Sequence, residues 1–231
     1  MDTAKDGRVL ILEDALRRLN EIVGNRKLKM HIDYNKLGES LKTAGSLLYE
    51  VKYSYTDSKA LADLPATTQI VDAVADFGNV YHAAMKSGYK ASTIKEALTF
   101  AEIEYSLRIA SGFQERLRVF EDDPGLAVDI IVVEVTSVGP VEGSSNLKEC
   151  RCTDGTRIWR IVTNIKDIKT DSKMICAVLP PVEMMNVVSE AMFLGGNPLP
   201  EETELGILKN PPSNALNQAR AQVMEITKRM I

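Results

Sequence analysis

Up to about Glu121 the apolar residues recur every three or four positions, the period of a helix face packed against neighbours. Four stripes carry this pattern. The first runs Val9, Leu12, Leu16, Leu19 and Val23, and Gly24 stands where a left-handed cap would close it. The second runs Leu37, Leu41, Ala44, Leu48, Val51 and Tyr55. After the breaker in "ADLPATT" the third runs Ile70, Val74, Phe77, Tyr81 and Ala84, with Gly88 beyond its end. Thr93 and Glu96 form a capping box that opens the longest stripe: Ile94, Leu98, Ala101, Tyr105, Ile109, Phe113, Leu117 and Phe120. Its interior Gly112 is either a weak point or a close-packing site. Four such helices with mostly short connections predict an antiparallel bundle over residues 1–124.

After "EDDPG" the period changes. "LAVDIIVVEVTSV" is rich in β-branched residues, and "NLKECRCTDGTRIWRIVTN" holds two strand-like runs around Asp154-Gly155. Asp-Gly between such runs is a hairpin signal, because both positions tolerate positive φ. "MICAVL" and "VVSEAMFL" supply two more strands. Five short strands with no helix between most of them predict a small antiparallel barrel over residues 125–231. Ser213 can cap a last helix, about 213–230, whose seam of Leu216, Ala219, Val223, Ile226 and Met230 needs a partner: the barrel, the bundle, or the same helix of a second copy. The fold class read from these patterns is α+β, in two domains.

Composition narrows the function. The 231 residues are 45% hydrophobic, enough to bury a core in each half. With 28 Lys and Arg against 32 Asp and Glu, no whole-molecule positive field draws in nucleic acid, so an RNA site must be a local patch. Three cysteines, with Cys150 and Cys152 one residue apart, make no disulfide framework; they predict a reducing, cytoplasmic setting. The opening "MDTAKDGRVLILEDALRRL" sets acids around a short apolar run, unlike a secretory signal. No run approaches membrane-spanning length, so no membrane partner is expected.

Catalytic constellations are hard to assemble from these residues. His31 and His82 lie far from the cysteines, and structural zinc wants four ligands, so the cysteines read as small buried strand residues. Without Glu-x-x-His, acids such as Asp72 and Asp76 read as solvated faces. There is no phosphate-cradling glycine loop and no Gly-x-Ser-x-Gly elbow, and Ser189 has no histidine in its half to serve as base. The reading is a non-enzymatic protein with no cofactor and no metal.

Taken in order, "VVEVTSVGPVEGSSNLKECRCTDGTRIWRIVTNI", "MICAVLPPVEM" and "NVVSEAMFLGG" resemble the tRNA-binding OB-fold domain family. That family is shared by EMAP-II-like cytokine precursors, C-terminal extensions of some methionyl-tRNA synthetases, small free-standing tRNA-binding proteins and CsaA-type export chaperones. The likeness covers about Val128 to Gly206. Ile130 to Val135 stand at the family's first strand, and Asn146-Leu147 at the start of its second. Arg160 to Asn164 match the strand end "RXIVSG", and Val178, Leu179 and Pro180 match the strand entering its "NLKP" turn. Val187, Ser189, Met192 and Leu194 fall on "GVXSXGMLL", which in relatives helps form the RNA-binding surface. Two departures stand out. Asn186 and Ala191 replace glycines, implying less need for positive φ or for close approach of a ligand. The family's basic loop "KPXKLRG" is here "PPVEMMN", and Met174 to Leu208 holds five acids and no Lys or Arg.

The cations lie elsewhere. Between Asn146 and Lys173 stand Lys148, Arg151, Arg157, Arg160, Lys166, Lys169 and Lys173, seven against four acids, with Trp159 among them. They are either phosphate contacts beside a stacking platform or one wet strand face over a core tryptophan. The resemblance implies tRNA binding with Asn164, Ser189 and Met192 at family positions, and the local cluster adds Lys148, Arg151, Arg157, Trp159 and Arg160 as candidate RNA contacts. The helical half would contact a protein partner or fix a homodimer. The alternative is a protein-binding, assembly or chaperone-like module on the same scaffold, with Met184, Met185, Met192 and Phe193 as an adaptable apolar contact.

Overall fold

A computed structural model describes residues 1–120, 122–228 and 230. Glu121, where the helical pattern ends, lies outside the described residues. The chain forms two compact units: Met1–Ala127 with the tail from Gln222, and Val128–Ala221. The division falls three residues later than the sequence pattern places it, and the final helix straddles it.

The first unit holds six α-helices where periodicity predicts four: α1 (Gly7–Gly24), α2 (Tyr34–Lys52), α3 (Ser58–Asp63), α4 (Pro65–Met85), α5 (Ile94–Ser111) and α6 (Phe113–Val119). The stripes supply much of its core, including Leu12, Leu16, Leu19, Leu41, Ile70, Val74, Phe77 and Phe113, while on α5 the core residue Ile103 lies off the expected stripe. Asp6, Asp33, Asp57 and Thr93 cap helices by accepting from free backbone N–H groups of the first turn. The Asp6 carboxylate also grips the buried Arg8 guanidinium at 2.6 Å, and Arg8 donates to the Phe120 carbonyl at 2.8 Å, which pins the end of α6 to the start of α1.

Several local expectations are corrected. Gly24 is the last helical residue, Asn25 is the cap, and the left-handed residue is Arg26, at φ 47°. Tyr55 leaves the second stripe and stands exposed at φ 49°. In the capping box Thr93 accepts from the Glu96 N–H, and the Glu96 carboxylate reaches back to the Thr93 backbone but mainly to Ser92, accepting from its N–H at 2.7 Å and its hydroxyl at 2.8 Å. The longest helix is α4, because the fourth stripe breaks at Gly112. There the buried Arg116 guanidinium folds back to donate to the Ile109 carbonyl, filling the space a side chain at residue 112 would need. Gly112 is therefore both the break and the close-packing site.

The second unit is an antiparallel sheet: β1 (Ile130–Pro140), β2 (Lys148–Thr153), β3 (Ile158–Thr163), β4 (Lys173–Met184), β5 (Val187–Phe193) and the short β6 (Gly206–Ile207). The order is β3-β2-β1-β4-β5, with β6 also paired to β1. Ile130 to Val133 are all buried because the first half of β1 has β4 on one edge and β6 on the other. β1 pairs with β2 from Glu134 onward, and a register shift at Thr136 bends it within that pairing. On β4, Leu179, Pro180 and Pro181 face the single β5 residue Glu190 across a second shift, so the "LPP" segment is a bulge inside a strand. The two ends of the order meet: the Ser189 hydroxyl accepts from Val162 N–H at 3.0 Å, and the Glu190 carboxylate from Arg160 N–H at 3.1 Å. Cys150, Cys152 and Cys176 are buried and unlinked.

Helix α7 (Ser213–Thr227) buries Ala215, Ala219, Val223 and Thr227, a strict spacing of four. Of the expected seam, Ala219 and Val223 are on this line, Leu216 and Ile226 flank it, and Met230 lies beyond the helix. Two seam members are covered within one chain, so the seam by itself does not call for a second copy.

Candidate nucleic-acid interface

The β2–β3 hairpin carries most of the expected site. Thr153 pairs with Ile158, so four residues, Asp154 to Arg157, make the turn. Only Gly155 has positive φ, 89°. Asp154 shapes the rest by hydrogen bonding: its Oδ1 accepts from Thr156 N–H at 2.9 Å, the Thr156 hydroxyl at 2.7 Å and Arg157 N–H at 2.9 Å. Burial pushes its carboxyl up, but these donors and the Trp159 side chain outweigh burial and bring it down to about 2.

Trp159 is a correction. Only 1% of it is exposed, because its strand position points inward and the Arg157 guanidinium lies 4.0 Å above its ring centroid. No open face remains for a base. Arg157 pairs in turn with Glu190, across from β3 on β5.

Arg160 points outward, directly opposite Arg151 on β2. Its Nε donates to Glu149 at 3.0 Å, while its own N–H is taken by Glu190. Arg151 is exposed, and its carbonyl accepts from the Thr136 hydroxyl at 3.0 Å. Lys148 donates to the Lys166 carbonyl, which draws the 164–169 loop, with its exposed Asn164, Lys166 and Lys169, to the far end of the hairpin. Lys173 holds the loop at Glu201 and Thr203, donating to the Thr203 carbonyl at 2.7 Å. The seven cations thus divide: Arg151, Lys166 and Lys169 are exposed, Arg157 and Arg160 are matched by glutamates, and Lys148 and Lys173 bind backbone.

Ser189 is a second correction. It is buried, and its hydroxyl accepts from Val162 N–H and donates to the Ala191 carbonyl at 3.1 Å, so it joins strands and offers nothing to a ligand. Met192 is half-buried opposite Ala177. The departure at Asn186 also reads differently. Met185 and Asn186 form a two-residue turn with φ of 49° and 63°, so the turn keeps positive φ without glycine. Residues 182–186 are all exposed, among them Val182, Met184 and Met185. The Met185 methyl would lie 3.2 Å from a Cβ at Gly143, which brings the β4–β5 turn against the β1–β2 loop.

Glu149 and Glu190 are the residues that sequence reasoning missed. Strand alternation puts Glu149 on a wet face, but nothing local in the chain tells which arginine it meets. In the helical unit Tyr49, Tyr53 and Tyr55 form an exposed row, with neighbouring ring centroids 6.1 and 6.4 Å apart. Asp72 and Asp76 line an open groove of about 570 Å³ with Lys36 and Glu39. Among the described residues no group of three His, Cys, Asp or Glu is placed to hold a metal ion, and no helix is long and apolar enough to cross a membrane.

No curated protein matches the chain. Six helices packed round one apolar core occupy the stretch where a family model does match, residues 1–119, and the chain accordingly belongs to the family described as the alpha helical domain.

Proposed function

We propose that the strand unit is an OB-type barrel that binds RNA, of the tRNA class by resemblance, through the solvent face of β2 and β3. The observation that carries this reading is the strand order β3-β2-β1-β4-β5 with β5 bonded back to β3, the arrangement an OB barrel requires. On its outer face Arg151 and Arg160 stand opposite each other, with Arg157 at one end and Asn164, Lys166 and Lys169 at the other. Base stacking falls to the Arg157 guanidinium plane in place of the buried indole. Filter binding of tRNA over a salt series tests the proposal. Arg151→Glu with Arg160→Glu should weaken binding by tenfold or more and flatten the salt slope, by about 0.7–0.9 for each phosphate no longer neutralised. Binding absent at low salt, or indifferent to these changes, removes the reading.

A second reading, protein contact at the β4–β5 turn, is favoured by the joint exposure of Val182, Met184 and Met185 at 45%, 40% and 47%. Methionines on an exposed turn suit an irregular apolar partner. It predicts that the protein suppresses aggregation of a denatured client and that Met184→Ser with Met185→Ser abolishes this. In the helical unit a protein partner would meet the tyrosine row.

A further inference from the structure

The Glu190 carboxylate sits where two donors converge: the Arg157 guanidinium on one oxygen and the Arg160 N–H on the other. This is the fork that a phosphate oxygen pair would take, since guanidinium and backbone N–H are the common partners of both anions. We propose that these donors form a backbone-phosphate subsite that the chain keeps filled with its own carboxylate, so that RNA binds here by displacing Glu190. The inference rests on the RNA-binding reading and adds its regulation.

Three observations support an exchangeable occupant. The pair is within reach of solvent, with 34% of the Arg157 side chain and 19% of the Glu190 side chain exposed, so an incoming anion can approach both partners. Arg157 has a second anchor besides Glu190, because its Cζ lies over the Trp159 ring at 4.0 Å from the centroid, a cation–π contact that does not need the carboxylate. Glu190 lies opposite the Leu179, Pro180 and Pro181 bulge of β4, where the ladder is interrupted; such bulges re-aim side chains. Arg160 is provided with its own carboxylate, Glu149, so the subsite has a graded surround of one displaceable and one flanking acid.

The test compares the full-length wild type with Glu190→Gln, which keeps an oxygen for the Arg160 N–H but removes the charge. In tRNA binding over a salt series, Glu190→Gln should bind about five- to tenfold more tightly at low salt. The slope should steepen by about 0.7–0.9, one further counterion released. Adding Arg157→Gln should cancel the gain, and thermal melting should show all three folded. If wild type binds tRNA and Glu190→Gln binds equally or less well while folded, the subsite is overturned and the RNA-binding reading stands. If neither binds tRNA, that reading fails. The subsite is then decided by titrating Glu190→Gln with inorganic phosphate while following the Arg160 amide and Arg157 Nε resonances. Saturating shifts uphold it, and unmoved resonances end it.

Discussion

The Arg157 guanidinium lies 4.0 Å from the ring centroid of Trp159 and is the lid over an otherwise buried indole. The only tryptophan of the chain should therefore emit like a core residue and resist iodide quenching, before and after RNA is added. Trp159→Ala should destabilise the strand unit by about 3–5 kcal/mol, read as a lower denaturation midpoint. Arg157→Ala should leave most of that stability but open the ring to quencher. A tryptophan quenched by RNA in the wild type would contradict this arrangement.

Asp154 makes the hairpin sensitive to acid. Its carboxyl is held at about 2, below the ordinary 3.8, so the charged form is favoured by folding. A carboxyl depressed in this way contributes stability that is complete above its unfolded value and lost as pH falls through the folded one. The contribution should fade between about pH 4 and pH 2. Asp154→Asn should cost about 1–3 kcal/mol at neutral pH and remove that part of the acid transition. Denaturant midpoints at pH 7 and pH 3 for both proteins check it.

Gly112→Ala raises helix propensity, yet we expect it to destabilise the helical unit by about 1–3 kcal/mol. An added methyl would overlap the buried Arg116 guanidinium, whose Cζ would be 3.1 Å away, and would push it off the Ile109 carbonyl. Gly24→Ala meets no atom within 4 Å and serves as the control. It should be neutral or slightly stabilising by thermal melting.

At the β4–β5 turn, Met185 at φ 49° is a side chain in a conformation that Asn or Gly adopts more readily. Replacing Met185-Asn186 by Asn-Gly should raise stability by roughly 1 kcal/mol, seen as a higher melting temperature. If the turn contacts a protein client, the same change should weaken that contact although the fold improves.

What can be read from the chain follows from the range of the forces involved. Amphipathic stripes are local, so the helix faces through Leu16, Leu41 and Phe77 are visible. The six-residue α3 buries only Leu61 and Ala62, too little for a period to register. Gly112 is ambiguous because its outcome depends on a side chain four residues on. Strand alternation exposes the run of cations, but their neutralisation comes from across the sheet: Glu190 is 30 residues from Arg160. Ser189 carries a binding identity in the motif and Trp159 stands among the cations, yet both are structural here, because strand parity and the β3–β5 junction decide which way they point.

That junction has one more consequence. The edge of a sheet ordinarily offers a row of unpaired N–H groups on which another chain can add a strand. Here the mid-strand donors of β3, Arg160 and Val162, are already spent on the side chains of Glu190 and Ser189. Strand addition along β3 is closed to a peptide partner and to a misfolded neighbour alike, which protects the unit from edge-to-edge aggregation. A ligand on this face meets side chains first, and of these backbone donors only the Arg160 N–H is held by a carboxylate that an incoming anion could replace.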